Sequence, residues 1–385
     1  MHVFKAPNFV DINITKDCNF ACTHCYIGES KKQDLSLEDG LKYIDDLTEL
    51  GTFKIAIAGG EPLLHRNWND FLDRIITNGL SAILNTNGVL LNDNNLNKIT
   101  SIKNINRNNF ILAISLDGLK NRGFGKIRKW SDGKSADDTF DLIIKNANEA
   151  IDRGIKTVFN FTFSGVNYTD LFDLYDYLIS KVGEKRFILN VILFGVSGRG
   201  IGNKDDLSVD YNIWKEYLKK IYNKKLNNEL RYMAVEPSCP WEIYLPLYEY
   251  GIKKIEEIIK YSSILKSSLY RETRSIGCNA GITNIAINWD GKVSACGLYA
   301  TNQNFIIGDL TKSKISDIWN NSYKLNSIRN ISIKNLSKTC QNCKLTSICG
   351  GGCRGFASLK NNSLFDDDTR CPFHSSIRVT DYAKN

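Results

Sequence analysis

Cys18, Cys22 and Cys25 stand in the run Cys18-Asn19-Phe20-Ala21-Cys22-Thr23-His24-Cys25, three thiols spaced CxxxCxxC just after the strand-like stretch from Phe9 to Thr15. Three thiolates on one short loop can each hold one iron of a cubane cluster, which leaves the fourth iron open to a small molecule. Closely spaced cysteines also build zinc sites, but a closed tetrahedral site needs four ligands. No further Cys or His falls in the thirty residues after Cys25, so zinc here would require a remote ligand.

A second group lies toward the other end of the chain: Cys278, Cys296, Cys340, Cys343, Cys349, Cys353 and Cys371, with Gly291 between the first two. Asn288-Trp289-Asp290-Gly291-Lys292-Val293 reads as a hairpin with Asp-Gly at its turn, which returns the chain so that Cys296 faces Cys278. Two structural zinc knuckles are the competing reading of this group. Cys239 stands alone in Glu236-Pro237-Ser238-Cys239-Pro240-Trp241, where a cysteine is ordinarily a small buried apolar residue.

The elements that must position these groups alternate. Ser36-Leu37-Glu38-Asp39 has the form of a capping box, and Leu37, Leu41, Ile44, Leu47 and Leu50 follow at helical spacing up to Gly51. Strands are expected at 53–58, 81–85, 110–116, 156–162 and 187–194, with helices at 68–77, from Asp93, at 136–151 and at 169–182. Six strands separated by helices imply a parallel sheet with right-handed crossovers and chemistry at the C-terminal strand ends. The motifs fall there: the cysteine loop after strand one, Gly59-Gly60-Glu61-Pro62 after strand two, Asn85-Thr86-Asn87-Gly88 after strand three, and Ser115-Leu116-Asp117-Gly118 closing strand four. The fold class expected is α/β, a partial (β/α)6 TIM-type barrel open at its side. The glycine-rich 195–203 reads as a flexible loop near the mouth.

Together these motifs resemble the radical S-adenosylmethionine (SAM) superfamily, with a C-terminal SPASM domain in the seven-cysteine pattern. The resemblance implies that Cys18, Cys22 and Cys25 hold a [4Fe-4S] cluster whose open iron chelates SAM. It also implies that Gly59, Gly60 and Glu61 meet the methionyl amino group and that Ser115 and Asp117 form the ribose-binding pair. Two auxiliary [4Fe-4S] clusters follow: one on Cys340, Cys343, Cys349 and Cys371, the other on Cys278, Cys296 and Cys353, the latter with either an open iron or a remote ligand, for which Cys239 is the candidate. Arg122 or Arg128 could meet the SAM carboxylate, but such cations more often belong to the surface, and both are left out of the site. Anaerobic sulfatase-maturing enzymes carry an extra cysteine six residues after the first SPASM cysteine and an acidic base just after the second. Asn284 and Gly297 stand there, which argues against sulfatase maturation.

With 385 residues the chain is long enough for two domains, and its eleven cysteines, clustered toward the two ends, read as metal ligands. No run of eighteen apolar residues and no signal-peptide core is present, so a cytoplasmic chain without membrane partners is expected. The net charge of +8 is dispersed and does not indicate nucleic-acid binding. The expected organisation is a barrel over 1–207, a helical bridge over 208–275 and a SPASM domain over 276–385. The expected function is a radical SAM peptide maturase that oxidatively cross-links a ribosomal precursor. Its electrons would come from a flavodoxin or ferredoxin, and a separate recognition protein or the SPASM region would present the peptide. Oxidation of a small molecule such as an aminosugar, or a sulfatase-maturase-like activity despite the missing acid, is the enzyme alternative, and a zinc-stabilised binding protein the non-enzyme one.

Overall fold

A computed structural model describes residues 4–184, 186–239, 241–251 and 277–373. The described residues form two compact units, the larger within 4–208 and 280–326 and the smaller within 209–279 and 327–373.

In the larger unit six strands alternate with helices: β1 (Phe9–Thr15), α1 (Leu37–Leu50), β2 (Lys54–Gly59), α2 (Trp68–Thr77), β3 (Ser81–Thr86), α3 (Asp93–Ser101), β4 (Phe110–Ser115), the short α4 (Gly123–Ile127), α5 (Phe140–Asp152), β5 (Thr157–Phe163), α6 (Leu171–Val182) and β6 (Phe187–Leu193). All five neighbouring pairs from β1 to β6 are parallel. This is the α/β partial barrel that the alternation predicts. After β7 (Met233–Glu236), which belongs to the smaller unit, come β8 (Asn284–Ile287), β9 (Lys292–Ser294) and β10 (Ile306–Asp309). β8 adds to β1 in parallel, and β9 and β10 continue antiparallel. The region 276–385 thus contributes to both units, because its first strand completes the ladder of β1.

Helix ends follow local chemistry. Ser36 caps α1 by accepting from Asp39 N, and Gly51 closes it at φ 104°. The helix expected from 136 begins as a 3-10 turn over Asp137–Thr139; Asp137 Oδ1 accepts from Asn121 N, and Asp137 Oδ2 from Ser135 Oγ. Gly40 sits inside α1 because a Cβ there would lie 2.3 Å from Phe71 Cε1 of α2. Side chains alternate along the strands. Val10, Ile12 and Ile14 are buried, Ile12 and Ile14 among Leu35, Ile44, Phe71 and Ile75. Asp11, Asn13 and Thr15 point to the opposite, inner face.

That inner face is crossed beside β1. Asn13 Nδ2 donates to Asn288 Oδ1 at 2.9 Å, and Asn288 Nδ2 donates to Ala300 O at 2.7 Å. Tyr299 Oη reaches Val196 O at 3.3 Å, just past β6, and a Cβ on Gly195 would meet Leu298. Residues 297–300 therefore span the side of the barrel between β1 and the end of β6.

In the smaller unit the bridging region is mostly helical where described, with helices Tyr211–Leu226 and Trp241–Glu249 and the strand β7 between them. Trp214, Leu218 and Ile221 are buried on one face and Tyr217 is half-buried. Residues 252–276 lie outside the described residues.

Candidate active site

The cysteine loop is clamped from three sides. At its base, Gly60 N donates to Thr15 O and Glu61 N to Asp17 O, both at 2.8 Å. A Cβ on Gly59 would stand 2.3 Å from Thr15 O and one on Gly60 2.0 Å from Asp17 O, so only glycine lets the end of β2 lie against the entry to Cys18. Along one flank Ala21 N and Thr23 N donate to Lys129 O and Ile127 O, and the Phe20 and Trp130 rings meet edge-on at 5.0 Å. Along the other flank Arg199 N donates to Cys25 O at 2.8 Å, Arg199 Nη1 to Cys22 O at 3.0 Å and Asn203 Nδ2 to Thr23 O at 3.1 Å. The stretch 195–203, expected as a flexible loop, is thus a 3-10 turn over Gly198–Ile201 that clasps the thiol loop. Gly198 is required there, since a Cβ would fall 2.4 Å from Cys25 O.

Glu61 and Asp117 are both fully buried. Glu61 Oε1 accepts from Leu63 N at 3.1 Å and Thr86 Oγ1 at 2.7 Å, and Oε2 from Asn87 N at 2.7 Å. Burial nonetheless pushes its carboxyl above the ordinary range. Asn87 Nδ2 in turn donates to Asn19 Oδ1 inside the cysteine loop at 2.7 Å. The motif after strand three thereby gains a function that the sequence shows only through its position. Asp117 Oδ1 accepts from Thr162 N at 2.8 Å, while Oδ2 takes His24 Nε2 at 2.8 Å and Arg128 Nη2. Burial raises the Asp117 carboxyl, but Arg128 and His24 more than offset this and hold it well below the usual carboxylate range. Ser115 is half-buried at the end of β4, level with Asn160.

Arg128 corrects the sequence reading. It is buried, paired with Asp117 and within 3.4 Å of Cys22 Sγ, and so is no surface cation. Arg122 does lie on the outside, paired with Asp170 and Asp173.

In the smaller unit burial pushes the Cys349 thiol up to about 11, with the charges of Asp368 and Cys343 adding. Cys371 is raised by burial and by the charges of Cys349, Asp368 and Cys340, but among the described residues no three of these side chains stand together closely enough to hold a metal ion. Cys239 is buried; Arg370 Nη2 lies 3.4 Å from its Sγ, and its thiol donates to Glu242 Oε1 at 3.4 Å. Burial, then the charge of Glu242, push the Cys239 thiol up against the pull of Arg370, with Asp368 and Cys353 adding. Asp368 ties the two together, accepting from Cys353 N at 2.9 Å and from Trp241 Nε1 at 3.0 Å. Gly277 N, beside Cys278, donates to Gly350 O at 2.8 Å. Cys296 belongs to the larger unit and is half-buried.

The donor set fits iron–sulfur chemistry. Three thiols lie on a loop clamped on both flanks, glycines bare the adjacent backbone, and Arg128 Nε is buried without a hydrogen-bond partner. Residues 12–178 match the Radical SAM superfamily, and residues 278–344 match SPASM, an iron-sulfur cluster-binding domain. The chain is thus a radical SAM protein with a SPASM domain. SAM and a [4Fe-4S] cluster are the cofactors of the first domain, and auxiliary iron–sulfur clusters those of the second.

Over 93% of its length the chain is 24% identical to the Fe-coproporphyrin III synthase of Methanosarcina barkeri, covering 86% of that protein. Over 95% it is 22% identical to the mycofactocin maturase MftC of Mycobacterium tuberculosis, covering 83% of it. Its fold is similar to that of Streptococcus suis SuiB bound to the precursor peptide SuiA, with a TM-score of 0.72 at 17% identity over 96% of this chain and 77% of that one. Among the described residues no helix is long and apolar enough to cross a membrane.

Proposed function

We propose that the chain is a radical SAM peptide maturase that abstracts hydrogen from a ribosomally made precursor peptide and forms an oxidative cross-link, carbon–carbon, thioether or carbon–oxygen. The observation that carries this reading is the presence in one chain of a clamped three-thiol loop and seven C-terminal cysteines. The maturase among its relatives supports a peptide substrate. When bound, SAM and its cluster supply the 5′-deoxyadenosyl radical that takes the hydrogen.

In this reading Cys18, Cys22 and Cys25 hold the SAM-cleaving cluster. Gly59 and Gly60 present backbone to the methionyl amino group, and Ser115 faces the ribose. Glu61 and Asp117 act from behind, since protein donors already engage both oxygens of each; they fix the β2 and β4 ends that line the cofactor. Cys340, Cys343, Cys349 and Cys371 hold one auxiliary cluster, and Cys278, Cys296 and Cys353 the other, with Cys239 as its fourth thiol. The barrel spans 1–207, the bridge 208–275 and the cluster domain 276–385. A cytoplasmic flavodoxin or ferredoxin supplies electrons, and the SPASM region or a separate protein presents the peptide.

Chemistry on a small molecule is the second reading, favoured by the relative named Fe-coproporphyrin III synthase. The test is 5′-deoxyadenosine production by the reduced, reconstituted chain, compared with a Cys18→Ala/Cys22→Ala/Cys25→Ala variant, with the masses of co-expressed short peptides followed in parallel. Production lost in the variant, together with a peptide mass change, is expected. A changed tetrapyrrole probe with every peptide unaltered would move the assignment to the second reading.

A further inference from the structure

Arg128 follows α4 on the segment that backs the cysteine loop, and its side chain is almost entirely buried. Burying a guanidinium costs several kcal/mol unless partners repay it. One arm is accounted for by Asp117 Oδ2, itself held by His24 and level with Thr162 N. The other arm, Nη1, ends on Cys22 Sγ at 3.4 Å. Asp117 thus fixes the guanidinium against a sulfur, and through His24 it holds the same loop at a second point.

Net charge and hydrogen bonds to sulfur set the potential of an iron–sulfur centre, because each electron added makes the sulfurs more negative and better acceptors. We propose that Arg128 is a positioning residue that raises the reduction potential of the cluster held by Cys18, Cys22 and Cys25, and that Asp117 anchors it while damping its charge. The inference rests on the assignment of that cluster to those three cysteines.

The two residues carry opposite charge, so the test has a sign. EPR-monitored redox titration of the full reconstituted chain, with the spectrum of the Cys18→Ala/Cys22→Ala/Cys25→Ala variant subtracted, isolates the relevant signal. Arg128→Gln is expected to shift its midpoint to lower potential and Asp117→Asn to higher, with Arg128→Lys, which keeps the charge without the fork, in between. Should Arg128→Gln fail to hold iron, Arg128→Lys and Asp117→Asn still decide the matter. Shifts of the same sign, as a merely loosened loop would give, or no shift at all, would overturn the proposal. Survival of the signal in the triple cysteine variant would instead overturn the cluster assignment beneath it.

Discussion

The carboxylate of Asp11 fills the space that a side chain on Gly297 would need: a Cβ at that position would stand 2.3 Å from Asp11 Oδ2. Asp11 is on β1, and its inner-face neighbourhood includes Tyr26, whose phenol is pushed up by burial and then by the charges of Asp11 and Cys25. The sequence comparison of position 297 with sulfatase-maturing enzymes finds no acid there, yet a carboxylate stands beside it, supplied by another strand. Gly297→Ala is therefore expected to destabilise the fold by about 1–3 kcal/mol through overpacking. In an Asp11→Ala background the same change costs less, and a double-mutant cycle by urea denaturation reads the coupling. Additive effects would show that Asp11 moves aside freely.

Gly40 offers a second steric test. Alanine is favoured over glycine inside a helix by about 1 kcal/mol. Here its Cβ would press into the Phe71 ring, so Gly40→Ala is expected to lower stability, and pairing it with Phe71→Leu to recover part of the loss. A more stable Gly40→Ala protein in thermal melts would contradict the α1–α2 packing described.

Asp117 gives a pH dependence. Its folded pKa is depressed below the unfolded value of about 3.9, so the stability it contributes is complete above that value and is lost as pH falls toward the folded pKa. Asp117→Asn is expected to be less stable than the parent at pH 7, with the gap closing on acidification below about pH 4. Denaturant midpoints across pH measure this. A gap constant down to pH 2 would rule out the ion pair as its source.

Cys239 is testable by iron analysis. If it is the fourth thiol of the cluster shared with Cys353, Cys239→Ala lowers bound iron and sulfide while Cys18-loop SAM cleavage persists. Adding Cys239→Ala to a Cys353→Ala protein then changes nothing further. Independent losses in the two single variants would separate the residues.

Much of the larger unit was legible because its signals are local. The β1 limits, the Ser36 cap, the Gly51 stop and the α2 limits all follow from patterning within a few residues. The Asp-Gly turn at Gly291 likewise forms, at φ 76°. What escaped depends on residues far apart in the chain. Nothing around Arg128 in Lys126-Ile127-Arg128-Lys129 marks it as buried, because its partners are Asp117 and Cys22. Nor does Gly195–Asn203 announce a clasp, since glycine there signals close approach only once the Cys25 backbone is in view. The protein contacts of Glu61 were equally hidden, since its carboxylate accepts from Thr86 at the end of β3 and from Asn87 just past it.

That clasp also has a consequence for biogenesis. Arg199 binds the carbonyl of a cysteine 177 residues earlier, so the thiol loop leaves the ribosome long before its second flank exists. At ordinary synthesis rates the interval is about 10–35 s. During it the three thiols have no fixed spacing and are exposed to oxidation or to stray metal. On the proposed assignment of a cluster to these cysteines, iron delivery to a formed loop would come late in translation, after β6 and the glycine-rich turn have emerged and closed over Cys22 and Cys25.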